Sequence, residues 1–176
     1  MAEILLITET DLREFWSVGK NVPKERINPQ ILRAQQSDLK PFLGGSLYYD
    51  FVTNLSDSKY QELLNGKEYE YNGETVFFGG VKPMLAAYSY SRLKRNSSDF
   101  LTRAGNKYKQ TDESSDIQNK MIMTKAREAD SEGIRLQAEV GLFLDSFRDI
   151  YPLWKTEKGV KKASMKISKI SRFRGY

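Results

Sequence analysis

Apolar residues recur alternately four and three positions apart over a long stretch of the chain, and this spacing is typical of one face of an α-helix. The stripe consists of Ile122, Ala126, Ala129, Gly133, Leu136, Val140, Phe143, Phe147, Ile150 and Trp154. A helix over this span is about 50 Å long at roughly 1.5 Å per residue. Small residues at its start predict a close contact with a neighbour, and aromatic residues at its end predict a thick core.

Shorter amphipathic helices are predicted upstream. The first is capped by Thr10 or Thr8. Asn28-Pro29 predicts the start of the next helix, with Asn as N-cap and Pro at the first helical position. Lys40-Pro41 predicts that this helix is interrupted before another helical segment begins. Within that segment, Gly44-Gly45 is interpreted as a kink or a close packing position.

The period changes to two in the middle of the chain. Asn65-Gly66 predicts a helix end, and tyrosines then alternate with glutamates up to Asn72-Gly73, a strong signal for a two-residue hairpin turn. We therefore predict a β-hairpin at about residues 68–78, followed by a helix over 81–94. The predicted fold class is mainly α: a helical bundle over residues 1–154 with a long C-terminal helix, a small inserted β-hairpin and, over 155–176, an extended basic C-terminal tail.

The charge is concentrated in that tail. The chain carries a net charge of +5, but residues 155–176 hold eight Lys and Arg against one Glu, or +7. The other 154 residues hold 20 cationic and 22 acidic side chains, or −2. The high pI therefore belongs to the tail, and the body is mildly acidic.

Composition removes much familiar chemistry. The chain has no Cys and no His, which excludes thiolate nucleophiles, metal sites built on those residues and the usual general base near neutral pH. We predict no enzymatic activity, no cofactor and no metal. No segment approaches the roughly 20 apolar residues of a membrane span, and the short apolar run at Ile4–Ile7 is not a signal peptide, so no membrane partner is predicted.

Two sequence features invite a chemical interpretation but have simpler explanations. Gly79-Gly80 precedes a helix that carries Lys82, but the spacing lacks the pattern of a phosphate-binding loop, so a turn from hairpin to helix is favoured. Glu68 and Glu70 fall on one face of the predicted hairpin, and a solvated face explains them without catalysis.

The tail contains a repeat with a period of three residues, in which a cation and an apolar residue recur. Its members are Lys166, Ile167, Lys169, Ile170, Arg172, Phe173 and Arg174. This period suits an extended segment laid into a groove on a protein partner, with the apolar residues facing that partner. Nonspecific attraction to nucleic acid phosphates and an unstructured, solubilising tail are the alternatives.

Four segments in a fixed order carry a resemblance to a known family. They are Ile31-Leu32-Arg33-Ala34, Phe42-Leu43-Gly44-Gly45-Ser46-Leu47-Tyr48, Val81-Lys82-Pro83-Met84-Leu85-Ala86-Ala87-Tyr88-Ser89-Tyr90 and Leu101-Thr102-Arg103-Ala104-Gly105-Asn106-Lys107-Tyr108-Lys109-Gln110-Thr111. With the long helix that follows, they resemble the head-tail adaptor, or connector, proteins of tailed bacteriophages. A ring protein of a crAss-like phage is a closer resemblance within that family. The hairpin and the long basic tail depart from the family pattern.

The resemblance implies a structural virion protein that assembles in the host cytoplasm. It implies a homo-oligomeric ring, commonly of twelve subunits, which binds the portal protein above and further tail or ring proteins below while DNA passes through its channel. In this arrangement the repeat of the tail docks on the portal. The contacts between subunits are made by Ala126, Ala129 and Gly133. Arg103, Lys107 and Lys109 are the candidates for facing DNA in the channel.

A helical nucleic-acid-binding regulator with a nonspecific basic tail is the alternative function. It predicts affinity for duplex DNA that falls steeply with salt and depends on residues 155–176.

Overall fold

A computed structural model describes residues 4–96, 101–102, 105–106 and 114–155 of the chain. The fold is mainly α, as predicted, with one β-hairpin and a long C-terminal helix. In chain order the elements are α1 (Glu9–Phe15), α2 (Lys24–Ala34), a π-helical turn (Gln35–Leu39), α3 (Lys40–Leu43), α4 (Gly45–Thr53), α5 (Ser58–Asn65), β1 (Lys67–Tyr71), β2 (Glu74–Phe78), α6 (Val81–Arg95), β3 (Leu101–Thr102), β4 (Gly105–Asn106) and α7 (Ser114–Ser146).

Helix α6 lies at the centre of the structure. It packs along α7 and also contacts α1, α2 and α5. Ten of its residues are buried, including the small residues Ala86, Ala87, Ser89 and Ser91, which allow neighbouring helices to approach closely. A helix that is buried nearly all round belongs to a core. The longest apolar stripe of the sequence lies on α7, but α6 is the helix at the centre of the fold.

A capping box fixes the start of α1. The Thr8 hydroxyl accepts a hydrogen bond from the Asp11 amide at 3.2 Å, and the Thr8 amide donates to the Asp11 carboxylate at 2.7 Å. Of the two predicted caps, Thr8 is therefore the one used. Leu12 points into the core at 0% exposure, and Trp16, just after the helix, stacks on Tyr90 of α6 with ring centroids 4.7 Å apart.

The predicted boundaries of the next two helices were wrong. Helix α2 begins at Lys24, with Pro23 as its N-cap, so Pro29 lies inside the helix and does not start it. The fully buried Ile27 lies in the turn that the prediction left out, and its burial supports the earlier start. The helical path then continues through Lys40-Pro41 without interruption.

The π-helical turn explains why Pro41 does not break the helix. The Lys40 amide donates to the Gln35 carbonyl, five residues back. Pro41 has no amide hydrogen and cannot donate to the carbonyl four residues back. Because this turn is built on hydrogen bonds between residues five apart, that bond is not required here. The helix instead ends at Gly44, whose φ of 76° favours glycine. Gly44 therefore separates α3 from α4, and Gly45 is the first residue of α4.

The predicted β-hairpin is confirmed, with β1 and β2 paired antiparallel in the register Lys67 opposite Phe78. Asn72 and Gly73 both have positive φ, 54° and 83°, as a tight hairpin turn requires. The hairpin packs on the end of α7, where Phe78 stacks on Phe143 with ring centroids 4.1 Å apart.

Helix α7 ends at Ser146, eight residues before the predicted end at Trp154. The chain then makes tight turns, in which the amides of Ile150 and Tyr151 both donate to the Phe147 carbonyl at 3.0 Å. Pro152 disfavours helical backbone at the residue before it, which explains why the helix does not resume. Tyr151 is buried at 2% exposure, whereas Ile150, which the stripe placed in the core, is 41% exposed.

Over the residues that the structure describes, no helix is both long enough and apolar enough to cross a membrane.

Candidate functional site

The π-helical turn positions an acidic side chain against α6. The Asp38 carboxylate accepts hydrogen bonds from Arg92 Nη2 at 2.7 and 2.6 Å. Burial raises the pKa of Asp38 above its ordinary value, against the opposite effect of Arg92. In the same turn the buried Gln35 accepts from the Leu6 amide at 2.8 Å and donates to the Ile4 carbonyl at 3.0 Å. The π-helical turn is therefore hydrogen-bonded both to the N-terminal segment and to α6, and these parts together form one edge of the structure.

Between this edge and α7 lies an open groove of about 720 Å³. We call it the α7 groove. Its lining consists of Ser37, Asp38, Pro41, Phe42, Gln137, Ala138, Gly141, Leu142, Asp145 and Trp154. Leu142 is 53% exposed, although most leucines of the chain are buried. The groove thus presents apolar surface to solvent beside polar side chains, which is the composition of a binding site.

The side chains of the groove are held by contacts within the subunit. Trp154 packs against Phe42 with ring centroids 5.3 Å apart, and its indole Nε1 donates to Asp145 at 2.9 Å. Gln137 accepts a hydrogen bond from the Tyr88 hydroxyl at 2.7 Å. Burial raises the pKa of that tyrosine to about 12. The groove is therefore preformed.

A second cavity, of about 280 Å³, extends the groove toward the end of the described chain. It shares Pro41 and Phe42 with the first cavity, and its lining also includes Leu153 and Lys155. Leu153 is 39% exposed. The apolar surface thus runs from α7 past Phe42 to the residue at which the basic tail begins.

This groove was not predicted from the sequence. The spacing of apolar residues placed Phe42 on an amphipathic helix and Trp154 in the core stripe, and it gave Leu142 no role. A partial signal was present: Ala138 and Leu142 lie four residues apart outside the core stripe, are both exposed, and both line the groove. An apolar stripe off the core face indicates a second surface.

The predicted subunit-contact residues lie inside the subunit, which corrects that prediction. Ala126 and Ala129 have 0% exposure, and Gly133 is buried where α7 packs on α6. A Cβ on Gly133 would lie 2.7 Å from Cε1 of Tyr88. The small residues allow α6 to approach, so they are not accessible to a second subunit.

The outer face of α7 offers a different apolar surface. Met123 is 42% exposed and Ile134 is 65% exposed. They are eleven residues apart, close to three helical turns, and therefore share one face. We call this pair the outer face of α7. Between them, Asp130 forms an ion pair with Arg95 of α6, so the outer face borders the packed side of the helix.

The remaining predicted site residues lie outside the described part of the chain. They are Arg103, Lys107, Lys109, Lys166, Ile167, Lys169, Ile170, Arg172, Phe173 and Arg174. Their assignments remain predictions from the sequence.

The glutamates of the hairpin lie on a solvated face, as the interpretation without catalysis predicts. Glu68 and Glu70 are exposed on the face opposite Tyr69, whose ring packs against Phe143 and Phe147 at 5.5 Å. Among the described residues, no three acidic side chains come together in a way that could hold a metal ion.

Comparison with known proteins gives a match to a family model. The chain matches a family of unknown function (DUF6712) over residues 39–164, which is more than half of its 176 residues. The matched segment includes eight of the ten residues that line the α7 groove, from Pro41 to Trp154, but not Ser37 and Asp38. No curated protein matches the chain, and no solved structure matches it.

Proposed function

The chain belongs to the DUF6712 family, and we propose that it is a structural virion protein, a head-tail adaptor that forms a ring under the portal. In this role it joins the capsid vertex to the tail around the DNA channel. The observation that carries the proposal is the ordered set of four sequence segments followed by the long helix. The proposed partners are further copies of the chain, the portal protein, downstream tail or ring proteins, and DNA passing nonspecifically.

The outer face of α7 supports assembly of several copies. Met123 and Ile134 have no core to fill, since the core face of α7 packs on α6. An exposed apolar face gains free energy when it is buried against another subunit, at roughly 25 cal/mol per Å² of apolar area. We therefore assign the contact between ring subunits to this face, in place of the buried Ala126, Ala129 and Gly133.

The two charged segments complete the proposal. The repeat over 166–174 docks on the portal, where its apolar residues fill pockets and its cations meet acidic rim residues. The residues that face the channel are Arg103, Lys107 and Lys109. Their cationic side chains allow duplex DNA to pass and do not recognise its sequence.

The test is assembly with a purified portal ring. Sedimentation and electron microscopy of the full chain mixed with portal rings should show a second ring of density and a correspondingly larger mass. The matched control replaces Lys166, Lys169, Arg172 and Arg174 with glutamate in the full chain, which should abolish the complex. A chain that never joins a portal ring would contradict the adaptor.

The same samples separate the adaptor from the nucleic-acid-binding regulator. The regulator should bind duplex DNA at low salt and lose most of its affinity as salt rises, because cations bound to the phosphates are released on binding. Portal binding with no salt-dependent duplex affinity supports the adaptor, and the reverse result supports the regulator.

A further inference from the structure

We propose that the α7 groove is the docking site for the chain's own C-terminal segment, residues 166–174, bound in cis. The proposal concerns the isolated subunit and does not rest on the adaptor function.

The shape and chemistry of the groove set the kind of ligand it accepts. The apolar surface of the groove comes from Phe42, Leu142 and Trp154, and Gly141 adds no side chain between them and the ligand. An open groove of this kind accepts an extended segment that presents a large apolar residue at intervals.

The charged side chains that line the larger cavity of the groove are acidic, and each forms an ion pair within the subunit. Among the described residues that line its larger cavity there are two carboxylates, Asp38 and Asp145, and no Lys or Arg. Their ion-pair partners, Arg92 and Arg148, do not belong to this lining. The larger cavity therefore presents no cation that would repel a ligand in which apolar residues alternate with cations.

The tail has the required pattern. Ile167, Ile170 and Phe173 recur every three residues, and a cation precedes each of them. In a polyproline-type conformation, with a rise of roughly 3.1 Å per residue, the three apolar side chains fall on one side at intervals of about 9 Å. The cations on the remaining positions then point toward the rim.

The position of the groove favours the chain's own tail over other ligands. Lys155, where the tail begins, lines the second cavity at the end of the groove. The ten residues 156–165 span up to about 35 Å when extended, which is enough to turn back along the groove. A tethered ligand is present at an effective concentration on the order of millimolar, which exceeds that of a second copy in dilute solution.

Cis docking gives the tail two competing sites. If the tail also binds a portal, it has to leave the groove first, so that the affinity for the portal is reduced by the fraction of tails that are docked.

Disulfide cross-linking in the full chain tests the proposal. The chain has no Cys, so introduced pairs are unique. Leu142→Cys is combined with Ser171→Cys, which leaves all three apolar residues of the tail in place. The control combines Ser171→Cys with Ile150→Cys, because Ile150 is nearer to the start of the tail in the chain, does not line the groove, and is 41% exposed against 53% for Leu142.

Under mild oxidation, non-reducing gels should show an intramolecular disulfide in the Leu142 pair at a rate about tenfold above that of the Ile150 pair, since docking raises the local concentration of the tail at the groove. Replacing Ile167 and Phe173 with serine in the Leu142 pair should remove this advantage, and added salt should reduce it.

Two outcomes overturn the proposal. Equal rates in the two pairs would show that the tail does not occupy the groove. Cross-linked dimers in place of intramolecular disulfides would show that the groove takes the tail of a second copy. Neither result depends on portal binding, so the adaptor proposal is tested separately.

Discussion

Gly133 and Gly141 lie two turns apart on α7 but have different surroundings. A Cβ on Gly133 would meet three ring atoms of Tyr88 at 2.7 to 2.9 Å. That ring is 9% exposed and is anchored by its hydrogen bond to Gln137, so it has little freedom to move. A Cβ on Gly141 would lie 3.8 Å from Phe42, an ordinary van der Waals contact.

The two alanine substitutions should therefore have opposite effects. Gly133→Ala should lower the free energy of unfolding by about 1 kcal/mol, because overpacking costs roughly 1–3 kcal/mol and the gain in helix propensity returns only about 1 kcal/mol. Gly141→Ala should raise it by about 0.5–1 kcal/mol, because it gains propensity without a clash. Urea unfolding of both variants measures the difference.

Stabilisation by both substitutions would show that Tyr88 moves aside readily and that α6 and α7 are less tightly packed than described. This prediction replaces the one made from sequence, in which Gly133 contacts another subunit. A glycine in an apolar stripe indicates a close approach, but it does not identify the approaching side chain.

At the scale of elements, α1 is attached to the central helix through its capping box. Lys82 of α6 lies 3.2 Å from the Asp11 carboxylate, which also accepts the two hydrogen bonds from Thr8. Burial raises the pKa of Asp11, but the hydrogen bonds from Thr8 and the charge of Lys82 outweigh it and hold the pKa below 3.8. One carboxylate therefore serves both the helix start and its docking on α6.

A depressed pKa in the folded protein means that Asp11 contributes stability above its pKa in the unfolded chain and loses that contribution as the pH falls through its folded pKa. Asp11→Asn should lower the free energy of unfolding by about 1 kcal/mol at pH 7. The difference from wild type should shrink below about pH 4. Urea unfolding at a series of pH values measures it.

Asp57→Asn is the matched control for this series. Asp57 is the N-cap of α5, but its side chain makes no capping hydrogen bond, so its substitution should change stability by less than about 0.5 kcal/mol. A constant difference between wild type and Asp11→Asn down to pH 2 would contradict the role assigned to the Asp11 carboxylate.

The elements differ in how well the sequence predicted them. Thr8 and Asn72-Gly73 act through their own backbone neighbours, and Gly66 ends α5 with a positive φ of 90°, so the cap, the hairpin turn and the end of α5 were all predictable. Lys40-Pro41 was not, because the π-helical turn before it depends on long-range contacts. These are the hydrogen bonds of Gln35 to the N-terminal segment and of Asp38 to α6.

At the scale of the whole molecule, the outer face of α7 gives a test of assembly that is separate from folding. Ile134→Glu should leave stability within about 0.5 kcal/mol of wild type, because the side chain is 65% exposed in the subunit. It should prevent ring formation on the portal, because a charge would be buried in the subunit contact. Mass measurement with and without portal rings checks both.

Ile150→Glu is the matched control, since it introduces the same charge at an isoleucine that is 41% exposed beyond the end of α7. This variant should assemble like wild type. Equal assembly of both variants would remove the outer face of α7 as the subunit contact, and equal loss would show that added charge alone prevents assembly.

The sequence by itself determined the mainly helical class, the hairpin and its turn, the start of α1 and the concentration of charge beyond residue 154. These features follow from interactions between residues close together in the chain, or from composition. Only the tertiary structure decided that α6 and not α7 is the centre, that Tyr88 fills the space above Gly133, and that Phe42, Leu142 and Trp154 form one groove. These residues are separated by up to 112 positions in the chain, and periodicity reports which face of a helix is apolar but not what covers it.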